Sequence, residues 1–437
     1  MFNFSNSFWL TPGEQKEVIA KLVNDHLIKW SNKRDLPLKM GGFTDVYINL
    51  RDARNYPEMT CFLADLYTHP LRRLPVERFA EVPDAVSPIA GVISANTRIP
   101  LVTIRQKAKA GRVSKGLTIG DLRPGERMVI IDDVITDGES KIQPLSTLQS
   151  AAVNTMGIVV LVDRQQGWQK KLAEAGFGDV GVWPAMTLHD VRRFLIEEKF
   201  MQRCNKSVEE KNPLIVALDS KSWEDLLPTI DQLRTTGCIF KVNDLLVGQG
   251  IKNLLPNLSV YGRVMADLKG HDIPNTVENI CWQLHFCPPW AVTVHASGGG
   301  EMIKAAKKGL ARTPTKVLAV TVLTSLNPQT CEEIYGRQPL DQVLKLAEVA
   351  HAAGADGFVC SPQEAKTLKE KYPDKLLVTP GVRSAGKNAQ DQERTATPKA
   401  TMDEGATHLV MGRQILGAPD PIAEVHRLLK EELGMVL

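Results

Sequence analysis

A chain of 437 residues exceeds what one ordinary core fills; at about 150 residues per domain it predicts two or three domains, with a barrel of about 250 residues counting as one. Its 43% hydrophobic and 24% charged residues describe a globular protein, and a formal charge of +3 spread along the chain leaves no basic run for nucleic acid or an anionic membrane. Seven cysteines without a CxxC pair argue against both a disulfide framework and a structural zinc, and no 18-residue apolar run or signal-like leader is present; the expectation is a cytoplasmic protein acting on small molecules.

Apolar segments alternate with amphipathic ones, which predicts an α/β fold. The first helix is TPGEQKEVIAKLVNDHLIKW, opened by Thr11 and Pro12. VYINL, DAVSPIAGVIS, LVTIR, MVIID and MGIVVLVD then read as strands or strand-helix junctions. From about residue 186 to 212 the sequence turns helical and then charged, making it the predicted linker, with domains at 1–205 and 206–437. Beyond it, LIVALD, CIFKV, RVMADLK, AVTVHA, VLAVTVL, GFVCS, LLVTPGV and HLVMG recur with helix-length stretches between most of them. Eight strand-helix units in about 225 residues predict a (β/α)8 barrel with its site at the strand C-termini.

The stretch MVIIDDVITDGESK (128–141) carries the first candidate site. A strand ending in Asp132-Asp133 sets two carboxylates where a sugar diol could donate hydrogen bonds to both. The loop of Thr136, Asp137, Gly138, Glu139 and Ser140 then enters a helix, and its backbone N–H groups and hydroxyls can wrap a phosphate. Diol plus phosphate describes a ribose 5-phosphate; a solvated turn with Ser140 as a helix cap is the competing explanation.

The segment resembles the phosphoribosyl-pyrophosphate motif of type I phosphoribosyltransferases, which implies their parallel sheet with flanking helices. Other segments are similar to orotate phosphoribosyltransferase. LKMGGFTDVYINLRD then implies Lys39 as a diphosphate or orotate contact, and LVDRQQG implies Arg164 as a fork for the orotate carboxylate. IPLVTIRQKAKAGRVSKG falls at that family's mobile loop, implying Arg105 as a pyrophosphate contact, Lys107 and Lys109 as catalytic cations, and a dimer. The resemblance implies magnesium carried by the diphosphate substrate, near Asp132 and Asp133. Two departures stand out: Gln106 follows the loop arginine, and Asp84 replaces a tyrosine of the family. They leave open a degenerate, non-catalytic module serving ligand binding or dimer assembly.

The second candidate site is RVMADLKGHDIPNT (263–276). Residues two apart share a strand face, so Asp267 and Lys269 are expected to point into the barrel, with Asp272 above them and Lys241 arriving from the preceding strand. Such an alternating array, expensive to desolvate, suits decarboxylation without a cofactor: the acid disfavours a substrate carboxylate, and the lysine stabilises and protonates the carbanion. A structural ion-pair network is the alternative.

From about residue 212 onward the chain resembles orotidine 5′-phosphate decarboxylase. The resemblance implies Lys241, Asp267, Lys269 and Asp272 as catalytic, Asp219 on the ribose and Thr324 near the pyrimidine. Arg383 and Gln392 are implied on the phosphate, with Arg413 as a two-pronged phosphate contact, while Asp272 and Thr276 are implied to enter a neighbouring subunit's site. Sister families with the same Asp-x-Lys-x-x-Asp strand, which include magnesium-dependent sugar-phosphate aldolases and decarboxylases, remain an alternative. A transferase making orotidine 5′-phosphate, followed by a decarboxylase consuming it, predicts a bifunctional homodimer or higher homo-oligomer of pyrimidine biosynthesis.

Overall fold

The computed structural model describes residues 9–32, 35–38, 43–109, 116–202, 206–219, 221–386 and 396–435, without the side chains of 106–109, 116, 206 and 207. The chain divides into two compact units, Met1–Gln202 and Arg203–Leu437.

The first unit is built on a six-stranded sheet of β1 (Arg78–Glu81), β2 (Leu101–Lys109), β3 (Gly116–Ile119), β4 (Arg127–Ile135), β5 (Asn154–Asp163) and β6 (Gly181–Thr187). Their spatial order is β6-β5-β4-β1-β2-β3, parallel except where β3 runs against β2. Alternation sorts the strand residues into two cores. Phe79, Val129, Ile131, Val159 and Leu161 pack with apolar residues of the helices Pro12–Asn24, Pro57–Arg73 and Leu188–Glu197. Ala80, Ile130 and Val160 face the other way, onto Leu145 and Leu148 of the helix Glu139–Ser150. This parallel sheet with helices on both faces is consistent with the phosphoribosyltransferase-type fold expected.

One sequence expectation is narrowed here, and two strands were not anticipated. The segment DAVSPIAGVIS is a helix, Ser87–Thr97, opened by Pro88 in its first turn, and the strand of that unit is the preceding Arg78–Glu81. The strand Gly181–Thr187 was also not anticipated. Both strands carry residues unlike a buried strand, Arg78 and Glu81 in one and Pro184 in the other, and only their place in the sheet makes them strands.

The second unit is a closed barrel of eight parallel strands: β7 (Leu214–Ala217), β8 (Ile239–Val242), β9 (Arg263–Gly270), β10 (Ala291–His295), β11 (Lys316–Val320), β12 (Gly357–Val359), β13 (Leu376–Thr379) and β14 (His408–Met411). Each of the eight expected segments contributes one. A buried apolar layer of Ile215, Ile239, Met265, Ala291, Leu318 and Val378 packs within it. Two residues further along β8, β9 and β10 come Lys241, Asp267 and Thr293, one step nearer the C-terminal mouth on the same face. The strand period therefore converts an apolar floor into a polar layer.

A candidate decarboxylation site and an acidic sheet edge

In the barrel mouth the Lys241 ammonium bonds both carboxylate oxygens of Asp219 at 3.0 Å and reaches Oδ2 of Asp267 at 3.4 Å. The Lys269 ammonium meets the same Oδ2 at 2.6 Å. Asp219, Lys241, Asp267 and Lys269 thus form a chain of alternating charge. The Asp267 and Lys241 side chains are only 8% and 10% exposed, whereas Lys269 and Asp219 are 36% and 42% exposed and open to the mouth. The inner pair is therefore held and the outer pair is accessible.

Asp267 is fixed from two more sides, and Lys269 is tied to the same threonine. Thr293 Oγ1 donates to its Oδ1 at 2.8 Å, Asn243 Nδ2 donates to its carbonyl at 2.6 Å, and Thr293 Oγ1 also accepts the Lys269 backbone N–H at 2.9 Å. Burial alone would raise the Asp267 carboxyl, but the charges of Lys241 and Lys269, with hydrogen bonds from Lys269 and Thr293, outweigh it and hold it below the usual carboxylate range. It stays ionised wherever the fold is intact near neutrality.

Lys269 reaches its place by a different route from the one expected. Its φ is +48°, in the left-handed region, and the register with β10 shifts between Ala266 and Gly270. Regular alternation seats Asp267; a bulge re-aims Lys269, at about 1 kcal/mol or more of backbone strain for a non-glycine residue.

Above the charges a cavity of about 580 Å³ is lined by Asp219, Lys241, Asp267, Lys269, Thr324, Arg383 and Arg413, together with Lys221. Arg383 follows β13, and its N–H donates to the carbonyl of Ala396 at 3.0 Å. The Arg383 Nε is buried without a hydrogen-bond partner among the described residues. Arg413 follows β14 through Gly412, where a Cβ would lie 3.1 Å from the carbonyl oxygen of Ala217; glycine lets that turn close on β7. The same cavity is therefore lined by an ion-pair array and by two guanidinium groups.

Two expected members do not join this cavity. Asp272 is exposed and its Oδ1 accepts the backbone N–H of Ile273 at 2.6 Å, and Thr276 lies in the first turn of the helix Pro274–Trp282. The four-charge set expected from Lys241, Asp267, Lys269 and Asp272 is completed within this chain by Asp219 instead, because Asp272 lies beyond the strand end on the far side of the bulge. Gln392 lies outside the described residues. Thr293, Asn243 and Lys221 were missed; Thr293 lies two residues past Ala291, as Lys241 lies past Ile239, but a strand threonine carries no signal until Asp267 is known to face it.

In the first unit Asp132 and Asp133 are inside β4, which runs on to Ile135, rather than at its end. Lys141, from the first turns of the following helix, sets its ammonium on Oδ2 of Asp132, with both side chains almost fully buried. Tyr67 Oη donates to the Asp132 carbonyl at 2.7 Å. The expected pair of free acids is thus one neutralised acid beside a second, Asp133, which accepts the backbone N–H of Val134 at 2.8 Å. The Lys141 partner was not anticipated, although nine residues past Asp132 is a spacing that a strand-turn-helix closes.

The loop itself turns at Gly138, with φ +86°, and Asp137 Oδ1 accepts the Glu139 N–H at 3.1 Å and the Thr136 hydroxyl at 3.3 Å. Glu139 faces Lys171 at 2.8 Å, and the Ser140 hydroxyl accepts from Lys141 at 3.2 Å. Arg164 follows β5 at the same sheet edge; its N–H donates to Ile135 and its Nη2 to Thr44 Oγ1 at 3.0 Å. Arg105 lies in β2, where its carbonyl accepts from Gln143 at 3.3 Å. Lys39 and the side chains of Lys107 and Lys109 lie outside the described residues. Among the described residues no group of three or more His, Cys, Asp or Glu is arranged to hold a metal ion, and no helix is long and apolar enough to cross a membrane.

Burial, then the charge of Asp132, push the Asp133 carboxyl up to about 7, against the pull of Lys141 and Arg51. The folded state keeps this proton after the unfolded chain has lost it near pH ~4, so the contribution of Asp133 to stability falls as pH rises from about 4 to about 7. Asp133→Asn is expected to match the wild-type melting temperature near pH 4 and exceed it at pH 8 in calorimetry of the full chain. Parallel curves for the two proteins would show that Asp133 titrates normally.

Comparison with known proteins points the same way for the barrel. Residues 212–428 match the sequence model of the orotidine 5′-phosphate decarboxylase / HUMPS family. The orotidine 5′-phosphate decarboxylase of Nitrosococcus oceani is 40% identical over 232 residues, 52% of this chain and 100% of that one. That of Halorhodospira halophila is 43% identical over 223 residues, 50% of this chain and 94% of its own. Among solved structures, Leishmania donovani UMP synthase is 31% identical, with a TM-score of 0.38 over 44% of this chain and 40% of that chain.

Proposed function

The chain belongs to the orotidine 5′-phosphate decarboxylase / HUMPS family through its barrel, and from that membership we propose that the barrel converts orotidine 5′-phosphate to uridine 5′-phosphate and that the first unit is an orotate phosphoribosyltransferase supplying it. One observation carries the first half: a buried carboxylate held ionised between two ammonium groups opens on the same cavity as Arg383 and Arg413. A ligand carrying a carboxylate at one end and a phosphate at the other suits that cavity, whose volume lies in the small-molecule range.

The chemistry follows from the charges. A phosphate held by Arg383 and Arg413 would set the pyrimidine ring over the array, with Thr324 beside it and Asp219 toward the ribose hydroxyls. The substrate carboxylate then lies against Asp267, which stays charged and disfavours it. The C6–carboxylate bond breaks, carbon dioxide leaves, and the electron pair remains on C6. Lys269, bonded to Asp267, donates a proton to C6 as that charge develops and later regains one from water. Lys241 keeps Asp267 and Asp219 in place. The array costs little reorganisation at the moment of reaction, which is where electrostatic catalysis gains most. Asp272, exposed, and Thr276, half-buried, both outside the cavity lining, suit a role in the site of a second copy, as the resemblance implies.

For the first unit, the loop 136–140 entering a helix, Asp133 beside it and Arg164 at the same sheet edge support binding of phosphoribosyl pyrophosphate and orotate. Magnesium would arrive on the diphosphate as part of the substrate. A second reading is favoured by the Lys141–Asp132 pair and by Asp84: the unit binds ligand or assembles the protein without turnover. With orotate, phosphoribosyl pyrophosphate and magnesium, the bifunctional reading expects orotate to disappear and a chelator to stop it, while decarboxylation of added orotidine 5′-phosphate continues unchanged. Orotate untouched beside active decarboxylation leaves the second reading standing. Decarboxylation abolished by the chelator would refute the cofactor-free barrel and favour the magnesium-dependent sister families.

A further inference from the structure

Next to the two cavity arginines lies a polar cluster that the proposed chemistry does not use, of which Gln414 also lines the cavity. Ser384, next to Arg383, is buried, and its hydroxyl accepts from Gln414 Nε2 at 2.6 Å and from Arg427 Nη2 at 3.0 Å while donating to Oε1 of Glu432. That hydroxyl has no hydrogen-bonding capacity left over. Gln414, next to Arg413, accepts the Ser384 backbone N–H at 3.1 Å and donates to Glu424 at 2.7 Å. Arg427 closes the cluster on Glu424 through Nε at 2.9 Å and Nη2 at 2.8 Å, and on Glu432 through Nη1 at 2.8 Å. Each cavity arginine therefore has a neighbour in sequence that is bonded to the neighbour of the other.

We propose that Ser384, Gln414 and Arg427 are positioning residues that lock the Arg383 and Arg413 turns together before a phosphate arrives, so that the cavity reads a phosphomonoester with guanidinium groups already at a set separation. The inference rests on the barrel's reading as an orotidine 5′-phosphate decarboxylase. The turns leave different strands, β13 and β14, and the backbone bond from Ser384 to the Gln414 side chain fixes one against the other. Arg427 and its two glutamates hold the glutamine and serine in the rotamers that bond requires. Without them, ligand binding must order the two turns itself, which weakens phosphate binding and leaves the bonds of the ion-pair array untouched.

The test compares the nucleotide with its nucleoside, orotidine, which lacks the phosphate. Ser384→Ala and, separately, Gln414→Ala are expected to raise KM for orotidine 5′-phosphate by about tenfold with kcat within about twofold. In both variants kcat/KM for orotidine stays at the wild-type value, and Ser384→Thr, which keeps the hydroxyl, restores most of the nucleotide KM. Circular dichroism and melting curves identify a variant that fails to fold, and the milder Gln414→Ala keeps the question answerable. Equal losses on both substrates, or no change in KM, overturn the inference while the decarboxylase reading stands. A wild-type protein inert toward orotidine 5′-phosphate overturns the reading and the inference with it.

Discussion

Lys269→Ala is expected to lower kcat for decarboxylation of orotidine 5′-phosphate by at least about ten-thousandfold, with KM changed far less. The magnitude combines two roles in one ammonium: stabilising charge on C6, typically worth 10² to 10³, and delivering the proton, worth ~10² to 10⁴. Lys269 is the more exposed lysine of the array and bonds Asp267 at 2.6 Å, so it is the donor facing the cavity. Its loss also leaves Asp267 with Lys241, Thr293 and Asn243, so the fold should survive. Asp267→Asn is harsher on stability. It leaves two ammonium groups in a mouth where Lys241 is 10% exposed, and removing one partner of a buried pair costs about 3–5 kcal/mol. Single-turnover rates with melting curves separate the effects. A Lys269→Ala enzyme within a hundredfold of wild type would remove Lys269 from the chemistry.

The same lysine illustrates how far the sequence can be read. The pair Asp267 and Lys269 was legible because both residues sit in one short segment, and two residues is a strand period. The reason offered was nevertheless incomplete, since the left-handed φ of Lys269 and the register shift after Ala266 depend on how β10 lies alongside. Lys241 could be assigned to the array because it is a lone charge inside an apolar strand. Thr293 also sits inside an apolar strand, but a threonine there gives no chemical signal until its neighbour is known to be Asp267. Charge pairs closed by tertiary geometry were least legible. Lys141 on Asp132 and Lys241 on Asp219 are each invisible until a turn or a barrel closure brings them together.

The fold divides along the same line. The barrel strands are almost purely apolar and closely spaced, so eight of them could be counted. In the first unit, β1 begins with Arg78 and ends with Glu81, and these polar ends hid it. Glu81 is 3% exposed and takes the Thr103 hydroxyl at 2.6 Å, while its other oxygen has no partner among the described residues. With Lys141 on Asp132 and the Asp133 carboxyl pushed up to about 7, Glu81 is a further acid at the same sheet edge, where a diphosphate gains most when magnesium accompanies it. That is a physical reason, independent of any loop, for testing the transferase activity of this unit rather than assuming it.

Arg413→Ala is expected to raise KM for orotidine 5′-phosphate by about 10²- to 10³-fold. A guanidinium fork can make two charge-assisted hydrogen bonds to a phosphate, each worth roughly 1.5–3 kcal/mol, and about 3–4 kcal/mol corresponds to that range. Arg413→Lys retains the charge but loses the fork, so its KM should fall between the two. The kcat carries separate information. If the phosphate serves only to anchor the substrate, its binding energy is shared by ground and transition states and kcat is unchanged. If that energy instead presses the carboxylate against Asp267, kcat falls with KM rising, because remote binding then offsets a local repulsion. The 3.4 Å and 2.6 Å bonds that pin Asp267 from two sides leave it little freedom to retreat from a substrate carboxylate. The structure therefore favours the second outcome, with kcat lowered by roughly tenfold beside the larger KM effect. Steady-state kinetics of the three proteins decide it: a KM within about threefold of wild type in Arg413→Ala would remove this arginine from phosphate binding.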